Sequence, residues 1–306
     1  MTTKDLVARH QAQQSLIIIG QIEGGVGKTY IAALLDAVFT ACGLKAKVLD
    51  LDYGNRAAST LMQEVEPVHH RATRSVASMI IGDLSRFDAI VGDLGANLLT
   101  DGQYKALCDE LIRCAQEEGR QVTFLVPVIP NKGGFGEMGK KVATEFSSTA
   151  NVVLILNNVD GSSDFPPVDG FQLLPLAHTA AGYTSARMSH AGPILDFILN
   201  GDAEFSLARG YWAQYLLRFM AQPSIAQMLP PVEDQPILVK LRSMPAPGDV
   251  FYHVSNRRAA RDDMLRANFK CRQTFDAFVL GDTGTGLLER ALACHAATNA
   301  YHGLKA

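Results

Sequence analysis

The segment from Ser15 to Val38 constrains this chain more than any other. SLIIIGQI (Ser15–Ile22) is a continuous apolar run, the pattern of a strand covered on both faces. EGGVGKT (Glu23–Thr29) follows at once, and from Lys28 onward Ile31, Leu34, Leu35 and Val38 recur at helical spacing, with Gly43 placed to cap the end. A glycine-rich loop between a buried strand and an amphipathic helix is the context of a phosphate cradle. Glycines let successive N–H groups curl around phosphate oxygens without a Cβ in the way. The helix that starts near Lys28 directs its positive end at the same oxygens. Lys28 adds a charge at the β and γ phosphates, and the Thr29 hydroxyl is placed to ligate Mg²⁺. The plain alternative is a glycine-rich turn that binds nothing. The agreement of strand, Gly-Lys-Thr and helix argues against it.

The rest of the first half repeats the alternation. AKVLDLD (46–52), a strand within RFDAIVGDLG (86–95), QVTFLVPVI (121–129), NVVLILNNV (151–159) and a short strand at 171–174 are separated by helical stretches at 103–118 and 136–149. Strands alternating with helices predict parallel βαβ units, hence an α/β fold with a mostly parallel central sheet flanked by helices. Residues 185–229 read mainly as helix. A run of prolines from Pro223 to Pro247 then marks a boundary. The expected division is a tail at 1–14, a nucleotide-binding domain at 15–230 and a mainly helical C-terminal extension at 231–306. That extension carries one strand (236–241) and two helices.

Composition narrows the function classes. In 306 residues, 28 Lys and Arg against 31 Asp and Glu leave a net charge of −3, so a global electrostatic grip on DNA or an anionic membrane is not expected. With 47% apolar residues the chain has the material for a core and is not expected to be disordered. The N-terminal stretch is polar, and five scattered cysteines form no CxxC pair. A reducing compartment, the cytoplasm, is the expected location.

At these residues the chain resembles the ParA/MinD family of P-loop NTPases with a deviant Walker A motif. Their loop reads KGGxGKT or KGGxGKS, and here it reads EGGVGKT. The usual Walker A pattern wants a glycine where this chain has Ile22. Further landmarks follow in family order: VLDLDYGNRAAS with Asp50 and Asp52, where the family has an acidic switch I, FDAIVGDLGAN with Asp93, Gly95 and Ala96, where it has Walker B, and LILNNVD with Asn157 and Asn158, where an Asn often reads adenine. The likeness spans roughly residues 15–200.

It implies ATP and Mg²⁺ as cofactors. ATP would be bound along Glu23, Gly24, Gly25, Val26, Gly27, Lys28, Thr29 and Tyr30, and at Asn157 or Asn158. Thr29 would bind the metal directly and Asp93 through water, while Asp52 would orient the attacking water or touch the metal shell. Lys28, Asp52 and Asp93 would carry catalysis. Taken as residues alone, Asp52 also reads as a helix N-cap or turn residue, Asp93 similarly although an Asp ending a buried strand needs a partner, and the two asparagines as turn caps.

Glu23 departs from the family at its defining lysine, which in the relatives reaches across a dimer to the partner's phosphates. A carboxylate aimed at a triphosphate is repulsive. Activation across the dimer by this position is therefore expected to be absent, with hydrolysis slow or dependent on a partner that supplies a cation.

The resemblance also implies a nucleotide-dependent homodimer and a protein partner. Arg257, Arg258, Arg261, Arg266, Lys270 and Arg272 form the concentrated basic stretch and would make any contact with nonspecific DNA, although a solvated helix face explains the same pattern. The Ala-rich C-terminal segment has few cations, which argues against a membrane-targeting helix. His69 and His70 read as surface loop residues, and the stripe of Tyr211, Trp212, Tyr215, Leu216 and Phe219 as core.

The expected activity is slow or partner-stimulated ATP hydrolysis that couples nucleotide state to a partner, in plasmid or chromosome partition, conjugation-linked functions or the positioning of a cellular machine. Two alternatives stand beside it: an ATP-dependent synthetase of the dethiobiotin synthetase or cobyrinic acid amidase type, and a nucleotide-binding adaptor without turnover.

Overall fold

Four apolar residues in a row, Leu16 to Ile19, suit a strand that meets a layer of helices on each face, and Ser15–Ile19 (β1) is buried along its whole length. The structure is a computed structural model that describes residues 15–51, 58–62, 65–68, 73–83, 86–96, 102–130, 135–159, 161, 165, 167–179, 181–230 and 235–244. In it, β1 lies fourth in a seven-stranded sheet with β2 (Ala46–Leu51), β3 (Val65–Pro67), β4 (Ala89–Leu94), β5 (Gln121–Val128), β6 (Asn151–Asn157) and β7 (Gln172–Leu176). The order is β3-β2-β4-β1-β5-β6-β7, and every pairing is parallel. With helices on both faces and the glycine loop directly after the central strand, this is the doubly wound P-loop NTPase architecture.

The pleat divides the apolar residues into two cores. Ile17, Ile19, Val48, Val91, Val153 and Ile155 face one side with α1 (Lys28–Ala41). Three later helices share that core: α6 (Ile194–Asn200), α7 (Ser206–Met220) and α8 (Pro236–Ser243). Leu16, Ile18, Leu49, Ile90, Phe124 and Leu154 face the other side, against α2 (Thr73–Asp83), α3 (Gly102–Glu117) and α4 (Phe135–Phe146). A further helix, α5 (Ala181–Met188), follows β7. No described helix is long and apolar enough to cross a membrane.

Five elements differ from expectation. Residues 236–241 form the start of helix α8, not a strand. Pro236 occupies its first turn, and Leu238 and Leu241, three residues apart, are both fully buried while Val239 is exposed, which is a helical period. The short edge strand β3 and helix α2 lie in a stretch for which the sequence offered no assignment. β1 ends at Ile19 and β6 at Asn157, each earlier than the apolar run suggests.

The chain crosses to opposite sides of β1 after β4, so the sheet's switch point falls between β4, β1 and β5. In such sheets the crevice at the carboxyl ends of the strands, at that point, is where ligands bind. The glycine loop leaves β1 there.

Candidate functional site

The loop is held at its start by the main chain. The Gly20 amide donates to the Leu125 carbonyl of β5 at 3.0 Å, and the buried Gln21 side chain accepts from the Ile22 amide at 2.6 Å. Gly25 (φ 72°) and Gly27 (φ 91°) then take left-handed conformations that side chains with a Cβ rarely adopt. Alternating backbone hand of this kind turns successive N–H groups toward one concavity. None of the amides of Gly24 to Gly27 donates to a protein acceptor among the described residues. Gly27 is also the N-cap of α1, whose first turn closes with the Ile31 amide on the Gly27 carbonyl at 3.0 Å. The free amides and the helix's positive end therefore coincide, which is the donor set an anion requires.

Lys28 is buried, and its ammonium donates to the Glu23 carbonyl at 2.7 Å, bridging the two ends of the loop. Val26 is fully buried, and its carbonyl accepts from the Asn157 carboxamide at 2.9 Å. Thr29 is half-buried in the first turn of α1.

Asp93 is buried near the end of β4, opposite Ile19 of β1 on one side and Asp50 of β2 on the other. Residues in register share a face, so both carboxylates lie on the α1 side of the sheet, near the edge where that helix begins. Asp50 is itself buried. Its place beside Asp93 depends on the pairing of β2 with β4, which the sequence spacing does not reveal. Gln21 was likewise missed, and a polar residue inside the apolar run from Ser15 to Ile22 was its only signal. Among the described residues no group of three or more His, Cys, Asp or Glu is arranged to hold a metal.

The Tyr30 ring turns away from the loop into the core, edge-on to Trp212 at 6.2 Å, with its hydroxyl beside those of Tyr215 and Thr179. Burial pushes its phenol up to about 12. Asn158 fastens its main chain to the Leu176 carbonyl at 3.0 Å. The Glu23 carboxylate is half-buried and makes no hydrogen bond or ion pair among the described residues. Asp52, His69, His70 and the basic stretch from Arg257 to Arg272 lie outside the described residues.

No protein-family model matches the chain, and no curated protein does. Solved structures similar to it include the MinD cell division protein of Aquifex aeolicus, at 14% identity and a TM-score of 0.45 over 68% of this chain and 97% of that one. MinD of Pyrococcus horikoshii complexed with Mg-ADP is similar at 16% identity and a TM-score of 0.37, over 70% of this chain and 92% of that one. The pNOB8 ParA bound to nonspecific DNA matches at 11% identity and a TM-score of 0.32, over 71% and 78%.

Proposed function

We propose that this chain binds Mg–ATP on the loop from Glu23 to Tyr30, hydrolyses it slowly, and uses nucleotide state to control a partner, as a ParA/MinD-type ATPase. One observation carries the reading: four consecutive uncommitted amides, two of them on left-handed glycines, sit at a helix N-terminus in the switch-point crevice of a parallel sheet. Gly24 to Gly27 would donate to phosphate oxygens. Lys28 would leave the Glu23 carbonyl and neutralise charge at the β and γ phosphates. Thr29 would hold the metal directly and Asp93 through water, and Asp52 would orient the attacking water. Bound Mg²⁺ supplies charge neutralisation between the phosphates. Phosphoryl transfer needs little more than such positioning. A nucleotide-dependent homodimer and a protein partner belong to the same proposal, with Arg257, Arg258, Arg261, Arg266, Lys270 and Arg272 as the surface for DNA.

Calorimetric titration with Mg–ATP and phosphate-release assays test it. The unaltered chain binds Mg–ATP, and Lys28→Ala weakens binding at least tenfold, about 1.4 kcal/mol. No binding by the unaltered chain overturns the proposal. Turnover that requires a small carboxylate substrate transfers it to the synthetase class, and tight binding without turnover, alone or with DNA and candidate partners, to the adaptor class.

A further inference from the structure

Asn157 ends β6, 131 residues from the loop it touches, and is buried. Its side chain shares the sheet face of Val153 and Ile155, the face that α1 covers. The carboxamide nitrogen donates to the Val26 carbonyl at 2.9 Å. It also lies close against the next residue: a Cβ placed on Gly27 would collide with the Asn157 carboxamide nitrogen, closer than real Cβ contacts come.

The chemistry of the peptide unit gives this bond a direction. The unit joining Val26 to Gly27 is planar and trans, as no cis bond occurs among the described residues, so its C=O and N–H point opposite ways. Drawing the Val26 carbonyl toward β6 turns the Gly27 amide away from β6. That amide donates to no described acceptor and sits at the start of α1.

We infer that Asn157 is a positioning residue for the phosphate cradle: it orients the Gly27 amide toward bound phosphate through the Val26 carbonyl, and its contribution is to the triphosphate part of the ligand and not to the base. This rests on the reading of the loop as a phosphate site. It also accounts for Gly27, whose missing side chain leaves room for the Asn157 amide as well as permitting φ 91°.

Two probes separate orientation of the loop from contact with a base. Mg–ATP and inorganic triphosphate with Mg²⁺ are each titrated into the unaltered chain, Asn157→Ala and Asn157→Leu, the second close to isosteric. Loss of one positioning hydrogen bond weakens both ligands by the same factor, roughly three- to tenfold. Weakening of ATP alone, with triphosphate unchanged, identifies a base contact and overturns the inference, as does no change in either.

A ligand-free cycle tests the loop contact itself. Gly27→Ala lowers the denaturant midpoint, and Asn157→Ala in the same chain recovers part of that loss, because the clash with the Asn157 carboxamide is gone while the φ strain remains. Strictly additive losses overturn the contact. If the unaltered chain binds neither probe, the phosphate reading fails, and the cycle still reports whether Asn157 holds the loop.

Discussion

Glu23 stands in the loop where charge matters most. Its main-chain carbonyl holds Lys28 at 2.7 Å, while its carboxylate engages nothing among the described residues. A half-buried carboxylate beside a triphosphate raises the electrostatic cost of binding and leaves one cation fewer to offset charge that develops in the transition state. Replacing it by lysine reverses both effects without touching the Lys28 bond, which uses only the main chain. Glu23→Lys is therefore expected to raise basal phosphate release, ATP-dependent dimerisation or both. Phosphate-release assays and light scattering with and without Mg–ATP measure these, and no change in either shows the substitution to be neutral.

Helix α7 shows how an element far from the glycines still bears on them. Tyr215 donates to the Ala177 carbonyl at 2.9 Å, Tyr211 to the His178 carbonyl at 3.4 Å, and the Trp212 indole to the Tyr183 carbonyl at 3.0 Å. The helix thus fastens the segment after β7, at the carboxyl edge of the sheet, while Trp212 and Tyr215 enclose Tyr30, the residue after Thr29. Tyr215→Phe removes the Ala177 bond and costs about 1 kcal/mol, measurable by urea unfolding.

Burial raises the phenols of this group: Tyr30 to about 12 from 10.0, Tyr183 to about 12, and Tyr215 and Tyr211 upward as well. A phenol raised on folding binds its proton more tightly in the native state. Its contribution to stability is whole below about pH 10 and is lost as pH climbs toward 12. Urea midpoints should therefore hold flat through neutral pH and fall above about 10, in step with phenolate absorbance. A midpoint that holds to pH 12 contradicts this.

The same element marks how far the sequence could be read. The aromatic stripe of α7 was legible as core because its spacing is helical and strong. The loop, β1 and α1 were legible because apolar run, glycines and amphipathic period agree over one continuous stretch. β3 was not: Val65, Glu66 and Pro67 are too few to show a period, and they form a strand because Val48 to Asp50 offer them an edge. Helix α8 was misread because ILVKL is β-branched and apolar, although Pro236 at its first turn was a helix signal in plain view. In the site, the glycines and Lys28 could be found by spacing alone. The partnership of Asn157 with Val26, and of Asp50 with Asp93, exists only once distant strands are side by side.

At the scale of the molecule, the division expected near residue 230 meets a core that continues past it. Leu238 and Leu241 of α8 are fully buried in the same cluster as Ile31 and Leu35 of α1 and Trp212 of α7, and Gln235 just before α8 lies against Gly43, at the end of α1. Helix α8 is therefore part of the layer that backs the helix following the glycine loop. Truncating a fully buried leucine removes apolar contact and leaves a cavity, a loss of about 2–5 kcal/mol. Leu241→Ala is expected to lower unfolding stability by that amount, whereas Val239→Ala, on the exposed face of the same helix, changes it by less than about 0.5 kcal/mol. Because α7 and α1 meet in this cluster, the weakened layer should also loosen Trp212, the sole tryptophan of the chain. Its emission is expected to shift to longer wavelength and to become more accessible to acrylamide in Leu241→Ala while remaining unchanged in Val239→Ala. Equal effects from the two substitutions would show that α8 is not packed into the core it shares with α1 and α7, and that the boundary belongs ahead of it.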